Sequence, residues 1–279
     1  MVFAKAKGPR RAARWGRATW RVTALLPVLA LAVAGCAEPV NQGTTEDGTP
    51  LVNEGKLTTC THTDYKPFQF HENGKLVGFD VDLVDRIAKD LGVRQEIQDV
   101  PFEGIQSGEA LNTRQCDIAA AAITINPVRE ENFDFSDPYF EATQALMVRK
   151  GSGIKGLEDL RGKKLGVQLA TTGETYAEKN KKANGYETVQ YEDLPLSVTA
   201  VQTKQVDAVI NDNSVLTDFV KSNEDLEVAA EFTTGDQYGI GVATGNKALR
   251  DKINESLRKL RQNGEYDEIY QKWFGEKPQ

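Results

Sequence analysis

Short, almost purely apolar segments recur along this chain between helical patterns, and this alternation limits the possible folds more than any other feature. Such segments are typical of strands buried on both faces of a parallel sheet. They lie at residues 117–125, 165–169 and 206–210, and a shorter strand is predicted at 57–61. Strands that alternate with helices predict an α/β fold.

Two further segments space their apolar residues as a helix does. Residues 79–91 have an apolar side chain at every third or fourth position, and Gly92 follows where a helix would end. Residues 248–263 repeat this pattern before Gly264. Residues 72–75 contain an Asn-Gly pair, which predicts a tight hairpin turn. With 279 residues, the chain can form one large or two smaller domains.

The first 35 residues have the composition of an export signal. Seven basic residues and no acidic one accompany an apolar run at 22–33, shorter than the roughly 20 residues that a spanning helix needs. The run ends in Val33-Ala34-Gly35-Cys36, which resembles a bacterial lipobox, where cleavage before the cysteine accompanies lipidation of its thiol. We expect a lipoprotein signal peptide at 1–35 and a lipid on Cys36. An ordinary secretory signal and twin-arginine export through Arg10-Arg11 are the alternatives.

The next residues and the overall charge indicate how the exported chain would meet its surroundings. Residues 36–55 lack apolar periodicity and predict a flexible tether. The net charge is -7, and loss of the seven basic residues of the signal makes it -14. Nucleic-acid binding needs a basic face and is therefore not expected. Because the exported chain would be acidic, a lipid rather than electrostatic attraction would hold it at a membrane. Two histidines and three cysteines form no metal motif, and we expect no metal and no cofactor.

Seven motifs follow one another through the folded part of the chain. They are YKPF at 65–68, GKLVGFDVDL at 74–83, DIAAAAITINPVR at 117–129, FDFSDPYF at 133–140, LRGK at 160–163, DAVIND at 207–212 and KWFG at 272–275. Each motif is weak alone, but their joint order is specific. In this order they resemble the polar amino-acid family of bacterial solute-binding proteins, extracellular family 3, the receptors of ABC importers.

The resemblance implies a two-lobed, periplasmic-binding-protein-like (type II) fold with a ligand cleft between the lobes. Lobe 1 would contain residues 56–143 and 241–279, and lobe 2 residues 148–236. Two hinge crossings would lie at 144–147 and 237–240. It also implies a monomer on the outer face of the bacterial cytoplasmic membrane that binds a free amino acid and passes it to ABC permease subunits.

A free amino acid needs partners for a carboxylate and for an ammonium group. A guanidinium and the free N–H groups at a helix start suit the carboxylate, and an acidic side chain suits the ammonium. At positions that match the family, Arg129, Thr171 and Thr172 would bind the carboxylate and Asp212 the ammonium. Arg129 belongs to lobe 1 and Asp212 to lobe 2, so one ligand would bridge them. The structural alternatives are a surface ion pair for Arg129 and helix caps for the others.

The resemblance also implies a frame for the rest of the ligand. Tyr65 and Phe102 match aromatic residues that flank the ligand side chain in the family, although aromatic residues at strand ends are often plain core. Thr124 would add a hydroxyl group and Ala122 a backbone carbonyl.

Two positions depart from the family pattern. His62 lies where the family usually has an aspartate, which relatives that bind lysine, arginine or histidine use against the cationic side chain. Gln168 replaces a residue that is often basic in glutamine or glutamate binders. These departures leave side-chain specificity open, and they favour a polar or acidic ligand such as glutamine or glutamate.

The two remaining cysteines allow a disulfide. Cys60 lies on the first predicted strand and Cys116 just before residues 117–125, which the family places beside it. An exported protein can keep a disulfide. Parallel register would separate the two residues along the strands, so a disulfide and two buried thiols both remain open.

An enzyme on the same fold is the alternative function, because relatives with dehydratase activity exist. It would use His62 as an acid or base in the cleft. The sequence has no nucleophile elbow and no phosphate loop, and we expect a binding protein rather than an enzyme.

Overall fold

A computed structural model describes residues 43–45 and 47–278 of the chain. The predicted signal peptide, Cys36 and the first residues of the predicted tether lie outside the described residues. Nowhere in the described part is a helix long and apolar enough to cross a membrane. Over this part the chain forms two five-stranded sheets with helices packed on them, and two short hairpins.

The first sheet belongs to lobe 1 and uses strands from both ends of the described chain. Numbered along the chain, these strands are β3 (Lys56–Thr61), β6 (Arg94–Asp99), β7 (Ile118–Ala119), β8 (Asp134–Phe135) and β14 (Gly241–Val242). They are ordered β6-β3-β7-β14-β8, with β3 parallel to β6 and β7 and with β14 antiparallel to its neighbours. The helices of this lobe are α1 (Phe79–Asp90), α2 (Phe102–Gln106), α3 (Glu109–Asn112), α4 (Pro127–Glu130), α8 (Lys247–Asn263) and α9 (Glu265–Phe274).

The second sheet belongs to lobe 2 and comes from the middle of the chain. Its strands are β9 (Phe140–Arg149), β10 (Lys164–Gln168), β11 (Glu187–Tyr191), β12 (Ala208–Asp212) and β13 (Leu226–Tyr238). They are ordered β11-β10-β12-β9-β13, with β10 parallel to β11 and β12 and with β9 antiparallel to β12 and β13. This lobe has a 3₁₀ turn at Leu157–Leu160 and the helices α5 (Thr172–Asn184), α6 (Leu194–Gln202) and α7 (Asn213–Ser222).

A cluster of aromatic residues packs where the two lobes join. The ring of Phe68 lies 5.0 Å from that of Phe140 on β9 and 5.3 Å from that of Tyr238 on β13, measured between centroids. Phe79 at the start of α1 lies 6.1 Å from Phe68. All four side chains are buried. The core of lobe 1 is therefore continuous with the strands that lead into lobe 2.

Two antiparallel hairpins complete the described chain. The first is β1 (Gly43–Thr44) with β2 (Pro50–Leu51), and the second is β4 (Phe70–Glu72) with β5 (Lys75–Val77). The turn of the second hairpin is formed by Asn73 and Gly74, both with positive φ. This confirms the hairpin turn predicted from the Asn-Gly pair.

The described part of the predicted tether is folded. Within residues 36–55, β1 and β2 pair, and the side chain of Leu51 is fully buried. The amide of Val52 donates to Asp117 Oδ1 at 2.6 Å, and Lys252 Nζ lies 2.6 Å from Asp47 Oδ2. The prediction of a spacer up to residue 55 is therefore wrong for this stretch, because one buried leucine and a few polar contacts, rather than apolar periodicity, hold it to lobe 1.

The predicted strand at 117–125 is mostly a buried loop. Only Ile118–Ala119 is a strand, and Ala122 has a φ of 50° that no strand allows. The amide of Ala122 donates to Asp80 Oδ2 at 2.8 Å instead of to a neighbouring strand. A run of apolar residues indicates that a segment is buried. Because this loop is as buried as a strand, the sequence pattern cannot distinguish a buried loop from a buried strand.

The first predicted crossing is misplaced. Residues 144–147 pair with both β12 and β13 inside the second sheet, because β9 begins as early as Phe140. The chain leaves the first sheet after β8, through residues 136–139. The second connection consists of residues 239–240, so only the second half of the predicted crossing at 237–240 lies outside the strands. Motion about these connections stays a prediction.

Cys60 and Cys116 form a disulfide in the structure, with Cα atoms 5.6 Å apart. Cys60 pairs in register with Ala119, as the parallel arrangement requires. Cys116 still reaches it because residues before β7 curve back from α3 rather than continue the strand. In the chain-entropy model a loop of this length adds roughly 4 kcal/mol of stability.

Candidate functional site

A pocket lies between the lobes, where strands β3, β6, β7, β10 and β12 reach their carboxyl ends. Ligands of open α/β sheets bind at this edge. The lining residues are His62, Tyr65, Gln69, Phe102, Ala121, Ala122, Thr124, Arg129, Gln168, Thr171, Thr172 and Asp212. The structure thus brings all ten residues predicted from the sequence to one pocket, and it adds Gln69 and Ala121. Their contacts with a ligand remain predictions.

Arg129 provides a buried cation. It lies in α4, a short helix that Asn126 caps by accepting the Arg129 amide, and its side chain is 3% exposed. Nη1 donates to the carbonyl of Thr124 at 2.9 Å, and Nη2 donates across the cleft to the carbonyl of Ala170 at 3.2 Å. Burial lowers the pKa of Arg129 to about 10, so the group stays charged at neutral pH. Five N–H groups are available, and these two bonds leave others for a ligand.

Asp212 provides a buried carboxylate on the opposite lobe. It ends β12 and precedes α7, but its side chain makes no capping bond to that helix. Oδ2 instead accepts from the hydroxyls of Tyr65 at 2.7 Å and Tyr238 at 2.5 Å, and Oδ1 accepts from Gln144 Nε2. Burial raises the pKa of Asp212. Its described partners are all neutral donors, so the carboxylate remains available to a cationic group.

The start of α5 faces the same pocket. The Thr171 hydroxyl accepts the Glu174 amide at 3.1 Å and donates to the Gln168 carbonyl at 2.7 Å, so its side chain serves as the helix cap. The Thr172 hydroxyl lies 3.4 Å from that of Thr124 across the cleft. Backbone N–H groups in a first helical turn have no partner within the helix and carry a partial positive charge. The Thr171 cap is therefore observed, and the anion site at these N–H groups stays a prediction.

A glycine allows this helix start to approach the second sheet. A Cβ atom on Gly173 would lie 2.9 Å from Gln144 Oε1 and 3.3 Å from the carbonyl of Ile210. Both distances are closer than ordinary van der Waals contact. The absence of a side chain therefore keeps the first turn of α5 beside Asp212, which follows Ile210 by two residues.

Aromatic rings form part of the wall. Tyr65 is buried and its hydroxyl lies 2.5 Å from Asn211 Oδ1 as well as near Asp212, so a lobe 1 residue contacts lobe 2 directly. The Phe102 ring lies 5.3 Å from the Arg129 guanidinium carbon, in the range of a cation–π contact. It also lies 6.4 Å from the His62 ring.

The two departures from the family pattern both line the pocket. His62 Nδ1 lies 3.1 Å from the carbonyl oxygen of Val100. Gln168 is 2% exposed, and its Oε1 accepts from Asn211 Nδ2 at 3.2 Å. Gln168 is thereby linked to the residue that contacts Tyr65.

Gln69 is the main lining residue that the sequence analysis misses. Its side chain is 1% exposed, and its Nε2 donates to the backbone carbonyl of His62 at 3.1 Å. The motif at 65–68 ends one residue before it. The available signal was a polar residue between Phe68 and Phe70, which are both buried. A buried polar residue needs a hydrogen-bond partner, so a glutamine between two buried aromatic residues indicates a polar contact at this position.

Asp80 positions the loop that carries Ala122. It is 2% exposed, it accepts the Ala122 amide at 2.8 Å, and the Tyr139 hydroxyl lies 2.9 Å from both of its oxygens. Ala122 needs this support because its positive φ is uncommon for a residue with a side chain. Tyr139 directly precedes β9. One buried carboxyl group therefore joins α1, the pocket loop and the connection between the lobes.

We expect Asp80 to make stability fall as the pH rises. Burial raises its pKa from 3.8 to about 7, so the folded protein binds this proton more tightly than the unfolded chain. The contribution is fully present below about pH 4 and is lost as the pH rises through about 7, with an upper limit of about 4 kcal/mol. Urea unfolding of the wild type and Asp80→Asn between pH 4 and 8 measures it. The wild type should lose stability relative to the variant, whereas a constant difference would contradict the assignment.

The charges in this pocket complement a zwitterion. Arg129 and the start of α5 favour a carboxylate, and Asp212 favours an ammonium group. Among the described residues there is no cluster of His, Cys, Asp and Glu that could hold a metal ion. The arrangement suits reversible binding of a small molecule that carries both charges.

Comparison with known proteins decides the family. The model of the bacterial extracellular solute-binding proteins, family 3, matches residues 57–276. The chain belongs to this family.

Three similar proteins illustrate the range of this solute-binding family. A probable histidine-binding protein of Neisseria gonorrhoeae is 33% identical over 91% of this chain and 94% of its own length. The ABC transporter glutamine-binding protein GlnH of Bacillus subtilis is 35% identical over 82% of this chain and 84% of its own. An ancestral arginine-binding protein, solved bound to arginine, is 43% identical with a TM-score of 0.76, covering 79% of this chain and 99% of its own.

These relatives confirm the two-lobed fold and the family predicted from the motifs. They also confirm the prediction of a binding protein rather than an enzyme, because the relatives are named for binding and transport. As a family 3 solute-binding protein, the chain is a component of solute uptake outside the cytoplasm.

Proposed function

We propose that this solute-binding protein captures a free α-amino acid by its head group and delivers it to an ABC importer. One observation carries the proposal: Arg129 on lobe 1 and Asp212 on lobe 2 are buried charges of opposite sign that line a single pocket. A ligand with a carboxylate and an ammonium group would contact both lobes at once. It would stabilise the closed arrangement because an open cleft cannot offer both contacts.

The contacts already present across the cleft support this mechanism. Arg129 reaches the carbonyl of Ala170, and Tyr65 reaches Asn211 and Asp212, so the residues predicted to bind the head group also join the lobes. The importer would recognise the closed form. The named functions of the relatives, which bind histidine, glutamine and arginine, support an amino acid as the ligand.

A thermal-shift screen against the twenty amino acids tests the proposal. A ligand at 1,000 times its Kd adds about 4 kcal/mol of stability by mass action, so a tight ligand raises Tm by several degrees. We expect at least one amino acid to do so, and its decarboxylated and deaminated analogues to bind at least 100-fold more weakly. If no amino acid shifts Tm at millimolar concentration, or if the analogues bind equally well, the proposal fails.

We further propose that the protein is a lipoprotein, anchored through Cys36 on the outer face of the cytoplasmic membrane. The support is the sequence Val33-Ala34-Gly35-Cys36 after a basic and then apolar leader. Replacing Cys36 by alanine should move the protein from the membrane fraction to the soluble fraction, as fractionation and blotting would show. Continued sedimentation with membranes would mean that something else anchors it.

A further inference from the structure

Two of the lining side chains outside the set that suits the head group each have an unpaired polar atom. They are His62 and Gln69, which are adjacent in the pocket because the Gln69 amide donates to the His62 backbone carbonyl. Each has one buried polar atom without a hydrogen-bond partner in the described part of the chain, Nε2 of His62 and Oε1 of Gln69. Buried polar atoms in proteins nearly always have a hydrogen-bond partner, so these two atoms indicate the chemistry of the ligand group that would contact them.

The chemistry of the Gln69 contact fixes which atom is free. Its Nε2 lies 3.1 Å from the His62 carbonyl oxygen, which can only accept. Turning the amide by 180° would place two oxygen atoms against each other. The free atom is therefore the carbonyl oxygen Oε1, which is an acceptor, on a side chain that is 1% exposed.

The same reasoning fixes the free atom of His62. Nδ1 lies 3.1 Å from the Val100 carbonyl oxygen, so Nδ1 must carry the hydrogen. In the neutral ring the other nitrogen, Nε2, is then an acceptor. The residues of lobe 1 that line the pocket consequently include two with an unpaired acceptor atom.

The opening next to these acceptors is acidic. It shares His62 and Phe102 with the pocket, and no lysine or arginine among the described residues lines it. Its charged lining residues are Asp99, Glu103, Glu192 and Asp193. A carboxylate side chain of a ligand would be repelled both by these groups and by the two acceptors, whereas an N–H donor would be attracted.

We propose that the ligand's side chain ends in N–H donors, as a carboxamide or a guanidinium does, and that His62 Nε2 and Gln69 Oε1 accept from it. This inference rests on the proposed function. It changes the polar or acidic ligand expected from the sequence, because it rejects the glutamate side chain, which has only acceptors at neutral pH, and it admits the guanidinium of a basic ligand. Gln69 becomes a specificity residue.

Titration calorimetry on the full folded domain compares matched ligands. Glutamine and glutamate have nearly the same shape, but glutamine has an NH₂ group where glutamate has a carboxylate oxygen. Arginine tests a guanidinium, and methionine tests an apolar chain of similar length. We expect the tighter of glutamine and arginine to bind at least tenfold more tightly than glutamate and methionine. If glutamate or methionine binds within tenfold of it, the inference is wrong even though amino-acid binding stands; if nothing binds, the proposed function itself fails.

Two variants locate the effect. Gln69→Met and His62→Phe each remove one acceptor and keep the size of the side chain. Each should weaken the tighter donor ligand at least tenfold and leave methionine binding within about threefold, because only donor ligands use the acceptor. The exposed residues Gln262 and His71 allow the same substitutions as controls, and neither should change affinity. An unchanged affinity for the donor ligand, or an equal loss for both ligands, would overturn the assignment.

Discussion

Replacement of Arg129 by lysine should lower the affinity for the amino-acid ligand at least 100-fold, equivalent to about 3 kcal/mol. The guanidinium is held by the carbonyls of Thr124 and Ala170 while its remaining N–H groups can face the ligand as a planar fork. A lysine ammonium has three donors on a point-like group, and it cannot keep both carbonyl contacts and also bind a carboxylate at two points. Titration calorimetry with the tightest amino acid measures the loss.

The control for this experiment is Arg258→Lys. Arg258 lies in α8 with a side chain that is 58% exposed, and its pairing with Asp137 lies outside the pocket. The control should bind like the wild type. Retention of wild-type affinity by Arg129→Lys would show that the guanidinium does not bind the ligand carboxylate, and the head-group assignment would have to be abandoned.

Replacement of Asp212 by asparagine should weaken amino acids at least 100-fold and leave deaminated analogues nearly unaffected. The carboxylate accepts from Tyr65, Tyr238 and Gln144, which stabilise its charge without neutralising it. A ligand ammonium supplies the missing positive charge, and a neutral amide cannot replace that attraction. Comparing the amino acid with its deaminated analogue in both proteins isolates this interaction.

Asp251→Asn is the matched control, since that carboxylate is 66% exposed and should have no effect on either ligand. The folded Asp212→Asn protein should unfold no more readily than the wild type, because burial already raises the pKa of Asp212 and makes its charge costly. Equal losses for the amino acid and its deaminated analogue would exclude Asp212 as the ammonium partner.

The residues around the head group could be predicted because the motifs resemble the family, and each residue also has a local physical meaning. Thr171 is a helix cap that the side-chain chemistry requires, and Asp212 follows a buried strand at the edge where ligands bind. Arg129 follows a turn that Asn126 and a proline begin. The order of these motifs identified the family, and the family resemblance implied that the residues share one pocket.

The features that were missed depend on contacts between distant parts of the chain. The apolar run at 117–125 is a loop because Asp80, about 40 residues earlier, takes the Ala122 amide. The hairpin before residue 55 is held by Asp117 and by Lys252, which no local pattern reveals. Cys116 reaches Cys60 only through the curvature of the preceding loop. The spacing of apolar residues indicates which segments are buried. It does not indicate which groups form hydrogen bonds with the backbone of those segments.

Gln69 shows how the side-chain subsite escaped prediction. Its only signal in the local sequence, a glutamine between two phenylalanines, suits an edge strand as well as a pocket. Its significance depends on the bond to the His62 carbonyl, which determines the direction of its oxygen. Hydrogen-bond direction is a property of the folded structure.

The most direct measurement is a crystal structure of the protein with its tightest amino acid. The head group should lie between the lobes, with its carboxylate on the Arg129 guanidinium and the first N–H groups of α5, and with its ammonium on the Asp212 carboxylate. A ligand bound in this pocket with the two ends reversed, or with neither charge within hydrogen-bond distance of these residues, would contradict the central claim that opposite charges on two lobes recognise an α-amino acid.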